Sequence, residues 1–282
     1  MAGRRPSSAR THPTTGPTMR RMSHAAAPAL LALALVPAPA AAQSDSSAAS
    51  GFSLYAETRL VSRYIWRGYD DARKAASLQP YVELGFPYGF SAYAWATGGL
   101  DSHRDLDEVN FNVRYGQAFG DWEVGLGYLH YILPGTLTEP GPDPIDPLLP
   151  SSTGEFFVSL ARNWEQASAT LTYSRGNRAM KGNSLELRIE GDLPWAEEAW
   201  RAQPYVQLNY LDEYGAPNSF EDRFSMIEIG VPILRQVGPV QLLAGAHVSF
   251  IPSPWVRALN AEADATGNVA IPWFTIGVVY EP

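Results

Sequence analysis

Between Val240 and Phe250, apolar and polar side chains alternate almost without fault. Val240, Leu242, Ala244, Ala246, Val248 and Phe250 share one parity, Gln241, Gly245, His247 and Ser249 share the other, and only Leu243 is out of place. Successive side chains of a strand point to opposite faces, so this pattern predicts a strand with one apolar and one polar face. The same grammar predicts twelve strands, at 52–69, 77–86, 90–97, 108–115, 122–133, 154–161, 167–174, 183–191, 203–211, 223–233, 240–250 and 269–280. At 183–191, Leu185, Leu187 and Ile189 oppose Glu186, Arg188 and Glu190. At 52–69, Glu57, Arg59, Arg63 and Arg67 fall together on the parity opposite Leu54, Ala56 and Leu60.

After Val36 no apolar run reaches the roughly 18 residues that a spanning helix needs, so a membrane crossing must be made by strands. Connection lengths alternate. Long ones such as 70–76, 98–107 and 134–153 fall on one rim and the tight Pro87-Tyr88-Gly89 on the other; 192–202, with Trp195 and Trp200, is a long exception on the short-turn rim. This predicts an all-β fold, a transmembrane antiparallel up-and-down β-barrel of about twelve strands, with short periplasmic turns and longer external loops. Tyr64, Trp66, Tyr69, Trp95, Trp122, Tyr128, Tyr131, Tyr173, Tyr210, Tyr214, Trp273 and Tyr280 lie near strand ends, where aromatic girdles are expected. A soluble carrier barrel or sandwich would put the apolar parity inside instead.

The barrel reading requires export. Met19, Arg20 and Arg21 form a basic start before an apolar run from Ala25 to Val36, and Ala40, Ala41 and Ala42 offer a cleavage site, so residues 1–42 read as an N-terminal extension plus a cleavable signal peptide. Residues 43–282 then form a single barrel domain. Removing the segment takes five arginines and no acid, leaving 16 basic against 29 acidic residues, a net charge of −13. Such a balance argues against nucleic acid as a partner. There is no cysteine, so disulfides do not stabilise the exported chain.

Three short stretches resemble the TorF-type outer-membrane porin family: Ser62-Arg63-Tyr64-Ile65-Trp66-Arg67-Gly68, then Leu78-Gln79-Pro80-Tyr81-Val82-Glu83, then Gly125-Leu126-Gly127-Tyr128 leading through Tyr131 to Pro134-Gly135. The resemblance covers the first third of the chain, and the Tyr-x-Trp-Arg-Gly element is its most specific piece. It implies a Gram-negative outer-membrane β-barrel with passive solute transport. The last residues depart from the pattern, because Glu281 and Pro282 follow Tyr280, where such barrels commonly finish on an aromatic read by the assembly machinery.

If the polar parity lines the lumen, the pore-lining candidates are Glu57, Arg59, Arg63, Arg67, Glu83, Arg114, Glu123, Glu186, Arg188, Glu190 and Glu228. Facing rows of opposite charge would order solutes by charge and dipole; cross-strand ion pairs that merely fill a closed lumen are the alternative. The segment at 134–153 carries six prolines, which predicts a stiff external loop or an inward constriction. Its acids Glu139, Asp143 and Asp146 do not define a metal site. A catalytic role would have to use His103, His130 or His247, the last two residues from Ser249, and no nucleophile elbow accompanies them. No enzyme activity, cofactor or metal is therefore expected. Outer-membrane lipid, small hydrophilic solutes or ions, and the outer-membrane assembly machinery are the expected partners. The polar face of 240–250 predicts a smooth, uncharged part of the lumen wall.

Overall fold

The computed structural model describes residues 51–70, 75–100, 108–132, 152–177, 181–195, 199–212, 223–262 and 267–282. All belong to the larger of two units into which the chain divides, Ala32–Pro282. The signal segment at 1–42, residues 133–151 of the proline-rich loop with their three acids, His103 and Tyr214 lie outside the described residues.

Twelve strands form the staves of a ring: β1 (Ser53–Val61), β4 (Ser77–Gly85), β5 (Phe90–Gly99), β6 (Glu108–Phe119), β7 (Trp122–Ile132), β8 (Ser152–Trp164), β9 (Ala167–Asn177), β10 (Gly182–Gly191), β13 (Tyr205–Asp212), β14 (Arg223–Val237), β15 (Val240–Phe250) and β16 (Ala270–Tyr280). Four short strands complete the set: β2 (Ile65–Trp66), β3 (Tyr69–Asp70), β11 (Leu193–Trp195) and β12 (Trp200–Ala202). Each stave is antiparallel to the next, and β1 pairs with both β4 and β16, so the twelve-stave ring closes. Closure removes the open edges that would otherwise expose unpaired N–H and C=O groups. Among the described residues no helix is long and apolar enough to cross a membrane.

The expected strand at 240–250 has those bounds. Others run further than their alternation shows: β6 continues to Phe119 and β14 to Val237. The ladder carries on where the alternation lapses, through Gly116–Phe119 and Leu234–Val237, until a glycine reverses the chain, Gly120 at φ 61° and Gly238 at φ 60°.

Parity divides the wall as expected. Leu126, Val158 and Phe274 on the outer face are 51, 51 and 63 % exposed, whereas Glu155, Thr172 and Ser249 on the inner face are 2, 1 and 0 % exposed. An apolar exterior around a polar interior is the inverse of a soluble carrier barrel.

Two segments differ from the sequence reading. The expected strand at 52–69 ends at Val61, where Ser62 exchanges hydrogen bonds with Phe274, its N–H donating to the Phe274 carbonyl (2.9 Å) and its Oγ accepting from the Phe274 N–H (2.9 Å). The chain then turns inward as the β2–β3 hairpin, with Trp66 opposite Tyr69. Its two central residues, Arg67 and Gly68, have φ of 51° and 98°, the pattern of a primed two-residue turn. Arg63 and Arg67 keep the parity of Glu57 and Arg59, so a period of two could not reveal the break. The second difference is the exception at 192–202. It forms the β11–β12 hairpin, whose residues Trp200, Arg201 and Ala202 pair with Arg235, Leu234 and Ile233 of β14, beyond the point where β13 begins.

At the long-loop rim, helix α1 (Pro254–Glu262) lies in the connection from β15 to β16. Buried Val256 packs with Ile251 and Ile271 against Ile65, Tyr69 and Trp255. Asn260 clamps the inward hairpin, its Nδ2 donating to the Gly68 carbonyl (2.9 Å) and its Oδ1 accepting from the Asp70 N–H (3.2 Å). Gly68 also passes close to β14: a Cβ there would stand 2.9 Å from the Ser225 carbonyl oxygen. Gly68→Ala is therefore expected to cost about 1 to 3 kcal/mol locally, to leave the staves intact, and to make the Arg67–Gly68 turn accessible to trypsin in the folded barrel, read by limited proteolysis.

Candidate functional site

The inner face encloses a cavity of about 380 Å³. Of the residues singled out by parity, Glu57, Arg59, Arg63, Arg67, Glu186, Arg188, Glu190 and Glu228 line it, and Glu83, Arg114 and Glu123 do not. Glu83 accepts a hydrogen bond from Tyr81, and Arg114 pairs with Glu123 towards the short-turn rim. Arg63 and Arg67 reach the cavity from the inward hairpin, not from a stave, which corrects their expected placement on the first strand.

Most of these charges are matched locally. Arg59 pairs with Glu57 and Arg188 with Glu190, in each case two residues along one strand and therefore on one face. Arg63 donates to Asp70 (2.8 Å) within the hairpin. Arg67 crosses the lumen: its Nη1 and Nη2 donate to Glu155 Oε2 and Oε1, both at 2.9 Å, on a stave five places round the ring from β1. Tyr131 donates to the same carboxylate (2.7 Å), and the Arg67 guanidinium lies 4.7 Å from the Trp66 ring centre. A bidentate, ring-backed arginine is the geometry for which a planar guanidinium suits and an ammonium does not. The hairpin is thus a strap across the bore.

Glu155 was missed by parity because Phe157 shares its face and makes 154–161 read as apolar on both sides. Part of the expected girdle is instead inside: Tyr64, Trp66, Trp95, Tyr131 and Trp273 line the cavity, and Tyr69 packs beneath α1. Tyr64 packs at a tilt against Trp95, ring centres 5.3 Å apart, and Trp66 meets Tyr131 edge to face at 5.9 Å. Position near a strand end cannot distinguish an aromatic that meets head groups from one that anchors an inward loop.

A second cluster occupies the wall formed by β10, β13, β14, β15 and β16. Tyr205 donates to Glu228 Oε1 (2.7 Å), Ser249 donates to Glu228 Oε2 (2.5 Å), and Trp273 Nε1 donates to Ser249 Oγ (3.0 Å). His247 stacks on Trp273 at 3.8 Å and sets Nδ1 2.8 Å from the Tyr205 hydroxyl. With its one proton committed to Glu228, Tyr205 accepts from His247 Nδ1. Gly230 makes room for this contact, because a Cβ there would fall 2.4 Å from both the His247 and Tyr205 rings. The wall at 240–250 is therefore not smooth, as its sequence suggests: His247 and Ser249 sit in a connected side-chain network with Tyr205, Glu228 and Trp273. Nor do these two form a nucleophile and base, since Ser249 is engaged by Glu228 and Trp273. Among the described residues no group of three or more His, Cys, Asp or Glu side chains is placed to hold a metal ion.

The model of the Gcw_chp family, described as bacterial protein of unknown function, matches residues 45–193. The chain belongs to the Gcw_chp family. In this Gcw_chp chain the matched stretch includes the strap, with Arg67, and its anchor Glu155. Of solved structures, the barrel is similar to the NanC porin, with a TM-score of 0.52 at 12% identity over 80% of this chain and 100% of that one. It is also similar to the KdgM porin, with a TM-score of 0.48 at 10% identity over 80% of this chain and 98% of that one. At 12% identity the likeness to the NanC porin speaks to the fold alone. No curated protein matches the Gcw_chp chain.

Glu155→Gln removes the carboxylate to which both Nη atoms of Arg67 donate, at a cost of about 3 to 5 kcal/mol when one partner of a buried pair is removed. The strap is expected to leave the bore before the staves unfold. Trypsin cleavage at Arg63 and Arg67 in a barrel that still migrates as a compact species would show this; unchanged protection would assign the hold to α1 alone.

Proposed function

We propose that this chain is an outer-membrane, porin-like protein that gives small hydrophilic solutes passive passage through a charged lumen. On this reading the signal peptide is removed after Ala42, and residues 43–282 are inserted as one barrel by the outer-membrane assembly machinery. Lipid surrounds the apolar face, the long loops are external, and the TorF-type resemblance of the Tyr64–Gly68 segment extends to function. No catalytic role is assigned. The observation that carries the proposal is the cavity of about 380 Å³ walled by ionised and polar side chains. A barrel built only as a scaffold would fill that space, as narrow barrels do.

One observation favours a second reading, a closed barrel whose external loops bind a surface partner. The strap is held on opposite sides of the ring by Glu155 and Asn260. A stationary strap of this kind narrows the bore.

Purified protein in planar bilayers is expected to give reproducible single-channel steps, larger for the Glu155→Gln variant. A heat-modifiable, correctly folded protein that stays silent in both forms would favour the closed barrel. The lipid assignment has its own check. Leu126→Arg, at an outward position in the middle of β7, is expected to weaken folding into vesicles by about 2 to 4 kcal/mol, whereas Gln117→Arg, outward near the short-turn rim, costs about 1 kcal/mol or less. Equal effects in a urea titration of vesicle-folded protein would contradict that assignment.

A further inference from the structure

Charge matching across the cavity wall leaves a remainder of one sign. The arginines that line the cavity, Arg59, Arg63, Arg67, Arg188 and Arg201, are each held by an acid: Glu57, Asp70, Glu155, Glu190 and Asp192. Glu186 and Glu228 line the same cavity and make no ion pair among the described residues. Both side chains are more than nine-tenths buried, at 5 and 6 % exposure. Glu228 is held by neutral donors, the hydroxyls of Tyr205 and Ser249 with the Trp273 indole beside them, and Arg188 acts on it only through space. Glu186 Oε1 has no hydrogen-bond partner, and the arginines that act on it through space, Arg67 and Arg188, are committed elsewhere.

The two carboxylates belong to one wall. Glu186 of β10 stands opposite Asn209 of β13, and Glu228 of β14 stands opposite Gln207 of β13, so the two carboxylates flank β13 on either side, offset by one inward position along it. Acceptors nearby are also unengaged: His247 Nε2 and Thr172 Oγ1 are buried, line the cavity and have no partner. With Nδ1 donating to Tyr205, His247 presents a lone pair at Nε2. The wall therefore offers two carboxylates, an imidazole lone pair and a hydroxyl, and its own cations are all occupied.

We propose that Glu186 and Glu228 form a cation station in the lumen, a site for the ammonium group of a small hydrophilic amine, and that they make the bore prefer cations. An ammonium carries three donors and no acceptor, which suits a wall of acceptors. Burial of an uncompensated carboxylate is costly, and an arriving cation offsets that cost, so the site favours cationic over neutral or anionic solutes. The selectivity half of the proposal rests on the conducting reading above; the binding half does not.

Two measurements keep the readings separate. In planar bilayers under a tenfold KCl gradient, the wild-type reversal potential is expected on the cation-selective side, and Glu186→Gln with Glu228→Gln should move it towards zero. A channel with no cation preference, or one whose preference survives both substitutions, overturns the proposal while leaving passive transport intact. If the folded protein does not conduct, transport fails and calorimetry decides the site. Butylammonium chloride titrated into detergent-folded wild type should bind at least tenfold more tightly than to the double variant, and sodium butyrate should not bind. Equal affinity for butylammonium in both proteins, or none in either, overturns the station. Glu186→Gln alone retains every hydrogen bond of Glu228 and serves if the double variant does not fold.

Discussion

Hydrogen bonding of the backbone in apolar surroundings is the constraint from which the rest of this structure follows. The pairing of β1 with β16 completes a ladder in which every stave has two neighbours. Once the polar main chain is satisfied around the ring, the outer face can be apolar along its whole height, as Leu126, Val158, Phe274 and Ile276 make it. The same closure forces every alternate side chain into a confined interior. A core of leucine and valine there would belong to a narrow soluble barrel; here the interior is carboxylate, guanidinium, amide and hydroxyl.

Confinement then dictates how those charges are arranged. A pair two residues apart on one strand, such as Glu57 with Arg59 or Arg188 with Glu190, keeps opposite charges on one face without relying on a neighbouring stave. Arg67 is different, because its partner lies nearly across the ring. Buried ion pairs contribute little net stability once desolvation is counted, and their stronger effect is to select one arrangement over others. The Arg67–Glu155 pair acts in that way: it selects the inward position of a hairpin whose turn residue Arg67 itself sits at an unfavourable positive φ. Asn260 and the small apolar cluster under α1 hold the other side.

The fold was legible to a large degree. Alternation located twelve staves and told the two faces apart, because an apolar exterior and a polar interior impose opposite demands on every second residue. It was least reliable where a side chain broke parity for a local reason. Phe157 beside Glu155 concealed an anchor of the strap, and the uncharged polar face of β15 suggested a smooth wall where His247 in fact lies flat against Trp273. The Tyr-x-Trp-Arg-Gly element stood out as a motif but was placed on a stave, since its charges continue the parity of β1. Aromatic residues at strand ends were assigned to girdles, and part of them instead line the lumen or pack beneath α1.

Sequence alone determined what depends on neighbours along the chain: which segments are strands, which parity is apolar, where the tight turns fall, and that the polar face is charged. Those properties follow from a period of two and from the chemistry of single residues. Tertiary structure alone decided which charges meet. Arg67 and Glu155 are 88 residues apart, Gly68 and Asn260 are 192 apart, and Glu228 meets Tyr205 and Ser249 only because three staves stand side by side. The reason is geometric. Alternation specifies the face on which a side chain lies, but the stagger of a closed ring sets its height and its opposite number, and those are properties of twelve strands together.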